Sequence, residues 1–177
     1  MMIMEKAQVS LPSDREVKVT RSFKAPRGLV YRAYTEPGLV RRWLLGPPGW
    51  SMPVCEMDVR EGGEYRWRWR SNNDASEFGF TGVFRKVEPG VRIVHTQVYD
   101  AGTTGVGMGG GEANVTATFT EANGITTVTT VIDFGSKASR DAAMATGMTD
   151  GMEQSYQLLE QVLTSTPSQP DAGQPRA

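Results

Sequence analysis

Few residues in this sequence carry side chains that could do chemistry by themselves. His95 is the single histidine. Imidazole titrates near neutrality without help from its surroundings, so His95 is the natural candidate for a general acid or base. Cys55 is the single cysteine, and a thiol becomes a nucleophile only when a neighbouring cation or base lowers its pKa. No such base adjoins it in sequence, and its company in an apolar segment with Met57 and Val59 reads as a small buried hydrophobe. One histidine and one cysteine cannot supply the several His/Cys ligands of common zinc sites, nor an intrachain disulfide. No metal or other cofactor is expected. Arg21 interrupts an otherwise apolar strand face. Its planar fork could bind a ligand carboxylate or phenolate, or form an internal salt bridge to Asp or Glu.

Two segments look like motifs. Tyr65-Arg-Trp-Arg-Trp-Arg70 interleaves aromatic platforms with cations, the composition that stacks bases and follows phosphates. On a strand, however, period two sends Tyr65, Trp67 and Trp69 to one face and Arg66, Arg68 and Arg70 to the other. The aromatics then line an interior and the arginines meet solvent. Gly105-Val-Gly-Met-Gly-Gly110 matches the G-x-G-x-x-G string of dinucleotide sites, but a strand follows it from about Glu112 instead of a helix. The six glycines between Gly102 and Gly111 read instead as a pliant hairpin loop at a cavity rim, with gating as its candidate role.

The chain that must position these residues has 177 of them, with 19 Lys+Arg against 20 Asp+Glu. That length fits one domain. A net charge of −1 lacks the surplus of cations that nucleic acid or an anionic membrane surface demands. No stretch approaches the ~18 apolar residues of a membrane span, and the start Met1-Met2-Ile3-Met4 is too short for a signal peptide. The expectation is a cytoplasmic protein. Residues 1–13 and 164–177 read as disordered ends, the latter with three prolines, which leaves a folded domain over 14–163.

Inside that domain, Glu16 to Phe23 alternates apolar and polar residues as a half-buried strand does. Pro26 can open a helix carrying Leu29, Val30, Ala33 and Tyr34, and Pro37 separates it from a second short helix over Leu39 to Leu44. Six strands follow, near 54–59, 64–70, 78–87, 91–99, 112–120 and 125–133, divided by turn signals such as Gly62-Gly63, Glu88-Pro89-Gly90 and Asn123-Gly124. From Ala138 to Leu163 the apolar period becomes helical, through Met144, Met148, Met152, Tyr156, Leu159 and Leu163. The predicted fold is α+β: a curved, seven-stranded antiparallel sheet gripping one long C-terminal helix, with two short helices after the first strand.

The segments Thr20-Arg-Ser-Phe-Lys-Ala-Pro-Arg-Gly-Leu-Val30, Thr35-Glu-Pro-Gly-Leu-Val-Arg-Arg-Trp43, Gly46-Pro-Pro-Gly49 and Cys55-Glu-Met-Asp-Val-Arg-Glu-Gly-Gly63 resemble the AHSA-type family, homologues of the heat-shock ATPase activator. That family belongs to the START-like, birch-allergen-like superfamily (SRPBCC). The resemblance spans roughly 15–163 and implies the same helix-grip fold. It also implies a choice among hydrophobic-ligand carriers, polyketide cyclases and chaperone activators. Many members carry Gly-Trp near the middle of the last helix, where this chain has Gly151-Met152, which would widen and soften the pocket floor.

The leading expectation is a binder of a small hydrophobic or aromatic ligand, held between long helix and sheet. From the sheet, Trp67, Trp69, Phe80, Phe84, His95 and Gln97 are the expected lining. From the helix come Met148, Met152 and Tyr156. His95 faces the cavity if Ile93 does, although Val94, Thr96 and Val98 form an alternative inward face. The alternatives are a polyketide cyclase- or dehydratase-like enzyme using His95 as its proton carrier, and a chaperone-interacting module. Either a monomer or a homodimer is compatible with the sequence.

Overall fold

The computed structural model describes residues 4–102 and 111–167. The glycine string Gly105 to Gly110 and the tail from 168 onward therefore lie outside the described residues. A short strand β1 (Gln8–Ser10) precedes β2 (Glu16–Phe23), and two helices follow, α1 (Arg27–Thr35) and α2 (Pro37–Trp43). Then come β3 (Trp50–Met57), β4 (Glu64–Ser71), β5 (Glu77–Glu88), β6 (Arg92–Asp100), β7 (Glu112–Ala122) and β8 (Ile125–Asp133). The chain closes with α3 (Lys137–Met144) and α4 (Met148–Ser165).

All strands join one antiparallel sheet in the order β1-β2-β8-β7-β6-β5-β4-β3. It has eight strands where the sequence led us to expect seven. The extra one, β1, is too short and too exposed to leave a periodic signal, and it forms because β2 offers it an edge on which to pair.

The helical C-terminus is also divided. Gly147 takes a left-handed φ of 80° between α3 and α4, a conformation glycine adopts without steric cost. The apolar stripe read as one helix from Ala138 thus belongs to two. Ser136 caps α3, its hydroxyl accepting from the Ser139 N–H at 3.1 Å.

The packed core lies where α1, α2 and α4 meet β2, β7 and β8. It contains Val17, Val19, Phe23, Val30, Phe119, Val128 and Leu159, each no more than 1% exposed. Tryptophan N–H groups tie the helices down: Trp43 Nε1 donates to the Ala33 carbonyl at 2.8 Å, and Trp69 Nε1 to the Leu44 carbonyl at 2.6 Å. The second of these satisfies a carbonyl just past the end of α2. No helix among the described residues is long and apolar enough to cross a membrane.

Candidate functional site

The inward face of β4, β5 and β6 is an aromatic wall. Period two turns Tyr65, Trp67 and Trp69 inward, and their cross-strand partners are Gly82, Phe80 and Phe78. Phe80 and Phe84 in turn pair with Tyr99 and His95 of β6. The rings touch in sequence: Trp69 to Phe78 at 5.2 Å, Trp69 to Phe80 at 5.7 Å, Phe80 to Tyr99 at 5.6 Å, and Tyr65 to Trp67 at 4.4 Å between centroids. Trp50 at the start of β3 extends the array through Phe78 at 5.2 Å.

Tyr65 crosses β5 at Gly82, where an added Cβ would sit 2.6 Å from its Cε1. Its hydroxyl then donates to the Thr96 carbonyl at 2.6 Å. Only a residue without a side chain permits that crossing.

His95 sits among Tyr65, Trp67 and Phe84, with centroids 5.2, 6.0 and 6.0 Å away. It shares the inward face with buried Ile93. Thr96, on the other parity, is buried as well, because its hydroxyl accepts the Val83 N–H at 2.9 Å where the β5–β6 ladder is irregular. Burial disfavours the imidazolium and lowers the His95 pKa from 6.5 to about 4. The ring is therefore neutral across the physiological range.

The expected lining residues separate into two groups. Trp67, Phe80, His95, Gln97, Met148 and Met152 are half-buried although they face inward. Trp67 and Phe80 pack at the edge of the buried clusters. Trp69, Phe84 and Tyr156 are buried, at 6%, 3% and 4% exposure. Trp69 is stapled to Leu44 as described above, and Tyr156 packs against Phe23 at 5.7 Å and Trp43 at 6.4 Å. Met148 lies against the small cluster of Ala113, Val115 and Ile132, and Met152 against the main core.

Phe78, Tyr99 and Trp50 belong to the wall and were absent from the expected lining. The parity of Phe78 with Phe80, and of Tyr99 with His95, could have found the first two. Trp50 follows Gly46-Pro-Pro-Gly49, and the strand it opens was expected to start four residues later.

Arg21 resolves as an internal ion pair. Its Nε donates to Glu153 at 3.0 Å and its Nη2 lies 2.6 Å from Glu160, with the guanidinium 5.1 Å from the Phe23 ring centroid. Burial opposes its charge, but the two carboxylates outweigh burial and raise its pKa. Glu153 also accepts the Ala7 N–H at 2.7 Å. Arg68 and Arg70 turn outward to Glu77 and Asp100. The Cys55 thiol is buried, and burial pushes its pKa up in spite of Arg41. That combination keeps it protonated and unreactive. No cluster of His, Cys, Asp and Glu suited to a metal occurs among the described residues.

A family model described as "Activator of Hsp90 ATPase homolog 1-like protein" matches residues 24–164. The chain belongs to this family. Among solved structures, a protein from Rhodobacter sphaeroides is 28% identical with a TM-score of 0.83, covering 92% of this chain and 100% of its own. One from Chromobacterium violaceum is 25% identical with a TM-score of 0.73, covering 87% and 100%. A protein from Mycobacterium smegmatis, 19% identical with a TM-score of 0.76 over 93% and 99%, shares the fold. Among curated proteins nothing matches. Membership supports a helix-grip module of the ligand-binding or activator-like kind.

Proposed function

We propose that this AHSA-type domain binds a small hydrophobic or aromatic molecule against the inward face of β4, β5 and β6, beneath Met148 and Met152 of α4. One observation carries the reading: Trp67, Phe78, Phe80 and Tyr99 face the interior of the grip and yet stay half-buried. Apolar surface left open inside a fold gains about 25 cal/mol per Å² when a ligand covers it. The methionines supply an adaptable opposite wall.

The enzyme reading through His95 gains little support. An imidazole with a pKa of about 4 is protonated in roughly one molecule per thousand at pH 7, so it is a poor acid there. The family description favours one other reading, a chaperone-binding activator acting through the outer surface.

The two separate in one experiment. Native mass spectrometry of freshly purified protein, beside a denatured control, should show a noncovalent small-molecule adduct that Trp67→Ala loses. Protein that carries no adduct and takes up no naphthalene-type probe would defeat the binding reading. An activator would keep its chaperone contact in the Trp67→Ala variant.

A further inference from the structure

We infer that Cys55 and Met57 together form a binding site for a soft monovalent metal ion, copper(I) by its chemistry, on the inward face of β3. The site is independent of the small-molecule reading above.

Two sulfurs meet there. Residues two apart on a strand share a face, and the Cys55 Sγ lies 3.9 Å from the Met57 Sδ. Their cross-strand partners are Trp67 and Tyr65, whose rings form an apolar backing, and Met52 is buried in the same cluster as Cys55. The pair is reached from the seam between α2 and β3. Met57 is half-buried there, and the exposed Arg41 extends from α2 to hydrogen-bond the thiol.

Thiolate and thioether are soft ligands, the combination that selects copper(I) among biological metals. Two metal–sulfur bonds of about 2.3 Å, the length known for zinc thiolates, would span the observed gap at an angle of about 115°. Charge decides between ions. A monovalent cation on one thiolate is neutral overall and suits an apolar cluster, whereas a divalent ion would keep a buried net charge. Zinc would also need nitrogen, oxygen or further thiolate ligands, and no such group of His, Cys, Asp and Glu occurs among the described residues. Burial keeps the thiol protonated, so the proton leaves to solvent as the sulfur–copper bond forms, and the Arg41 hydrogen bond favours the resulting thiolate.

The test titrates anaerobic copper(I) into the whole protein at pH 7 against a chromogenic copper(I) chelator. We expect one copper per chain, ultraviolet thiolate-to-copper absorption, and about one proton released per copper. Cys55→Ser, or Cys55→Ala if the first variant unfolds by circular dichroism, should abolish all three signals. Met57→Leu keeps the volume, removes the second sulfur and should weaken binding at least tenfold. Copper held as tightly by Met57→Leu as by the parent would overturn the two-sulfur site. So would stoichiometric copper that survives loss of the thiol, or parent protein that loses every copper to the chelator.

Discussion

One sheet carries two very different interiors. Where β2, β7 and β8 face the helices, Val17, Val19, Phe23, Phe119 and Val128 are at most 1% exposed. Where β4, β5 and β6 turn inward, Trp67, Phe80, His95, Gln97 and Tyr99 keep accessible surface. Hydropathy does not separate these halves, since the open one is richer in aromatic rings. Coverage does. The long helix packs chiefly against α1, α2, α3 and β2, and its buried apolar residues, Tyr156, Leu159, Val162 and Leu163, lie in its C-terminal part. Near its start the apolar side chains, Met148 and Met152, are only half-buried. The covered half holds the fold together, and the open half keeps accessible surface.

The largest effects should therefore fall on the covered half. Arg21→Ala leaves Glu153 and Glu160, both partly exposed, without their shared cation, and the loss of such charged hydrogen bonds costs about 1.5–3 kcal/mol. Leu159→Ala empties a fully buried site and should cost about 2–5 kcal/mol. Urea denaturation measures both losses. Both proteins, kept below their transitions, should still bind an aromatic probe with affinity close to that of the parent chain. A probe that lost affinity in step with stability would show that the halves are not independent.

Acid should strike through the open half. The folded His95 pKa is about 4 against 6.5 for the free group, so below pH 6.5 the unfolded chain takes up a proton that the folded chain refuses. Stability then falls as pH drops from about 6.5 toward 4, by about 3 kcal/mol over the window. Glu153 contributes in the same direction at more acid pH. Burial pushes its pKa up, but the hydrogen bonds from Arg21 and Ala7 hold it below the usual range, and that stability disappears as it is protonated. His95→Gln should flatten the loss between pH 6.5 and 4.5 and leave the more acid loss in place. An unchanged pH profile would mean that the ring is better hydrated than its aromatic neighbours imply.

The sequence made local elements easier to read than the contacts between distant ones. Alternation in Glu16 to Phe23 and the turn residues between later strands are local signals, so β2 and the run from β4 to β8 were legible to within a few residues. Period two likewise fixed which way Tyr65, Trp67 and Trp69 point. What escaped depends on distant contacts. The strand at Gln8–Ser10 exists because β2 pairs with it, and the helix break at Gly147 is a backbone choice that the continuous methionine stripe conceals. Trp69, Phe84 and Tyr156 share the parity or helical phase of the lining residues. Whether such a side chain is packed or open depends on where α4 stops covering the sheet, which no periodicity records.

The smallest expected effect on stability is the sharpest test of the contrast. Phe80 lies in the centre of the wall, touching Trp69 at 5.7 Å and Tyr99 at 5.6 Å, and it is as large and apolar as any core residue. In a packed interior Phe→Ala costs about 3–5 kcal/mol, because the truncated ring leaves a cavity its neighbours cannot close. Here the ring is only half-buried at the edge of the core, so Phe80→Ala should cost less, about 1 kcal/mol. The same change removes ring contact from a bound ligand and should weaken an aromatic probe about tenfold. Stability falls little and affinity falls much, the reverse of Leu159→Ala. If Phe80→Ala destabilised the protein as much as Leu159→Ala does, the wall would be packed core and the space assigned to a ligand would already be occupied by the protein's own side chains.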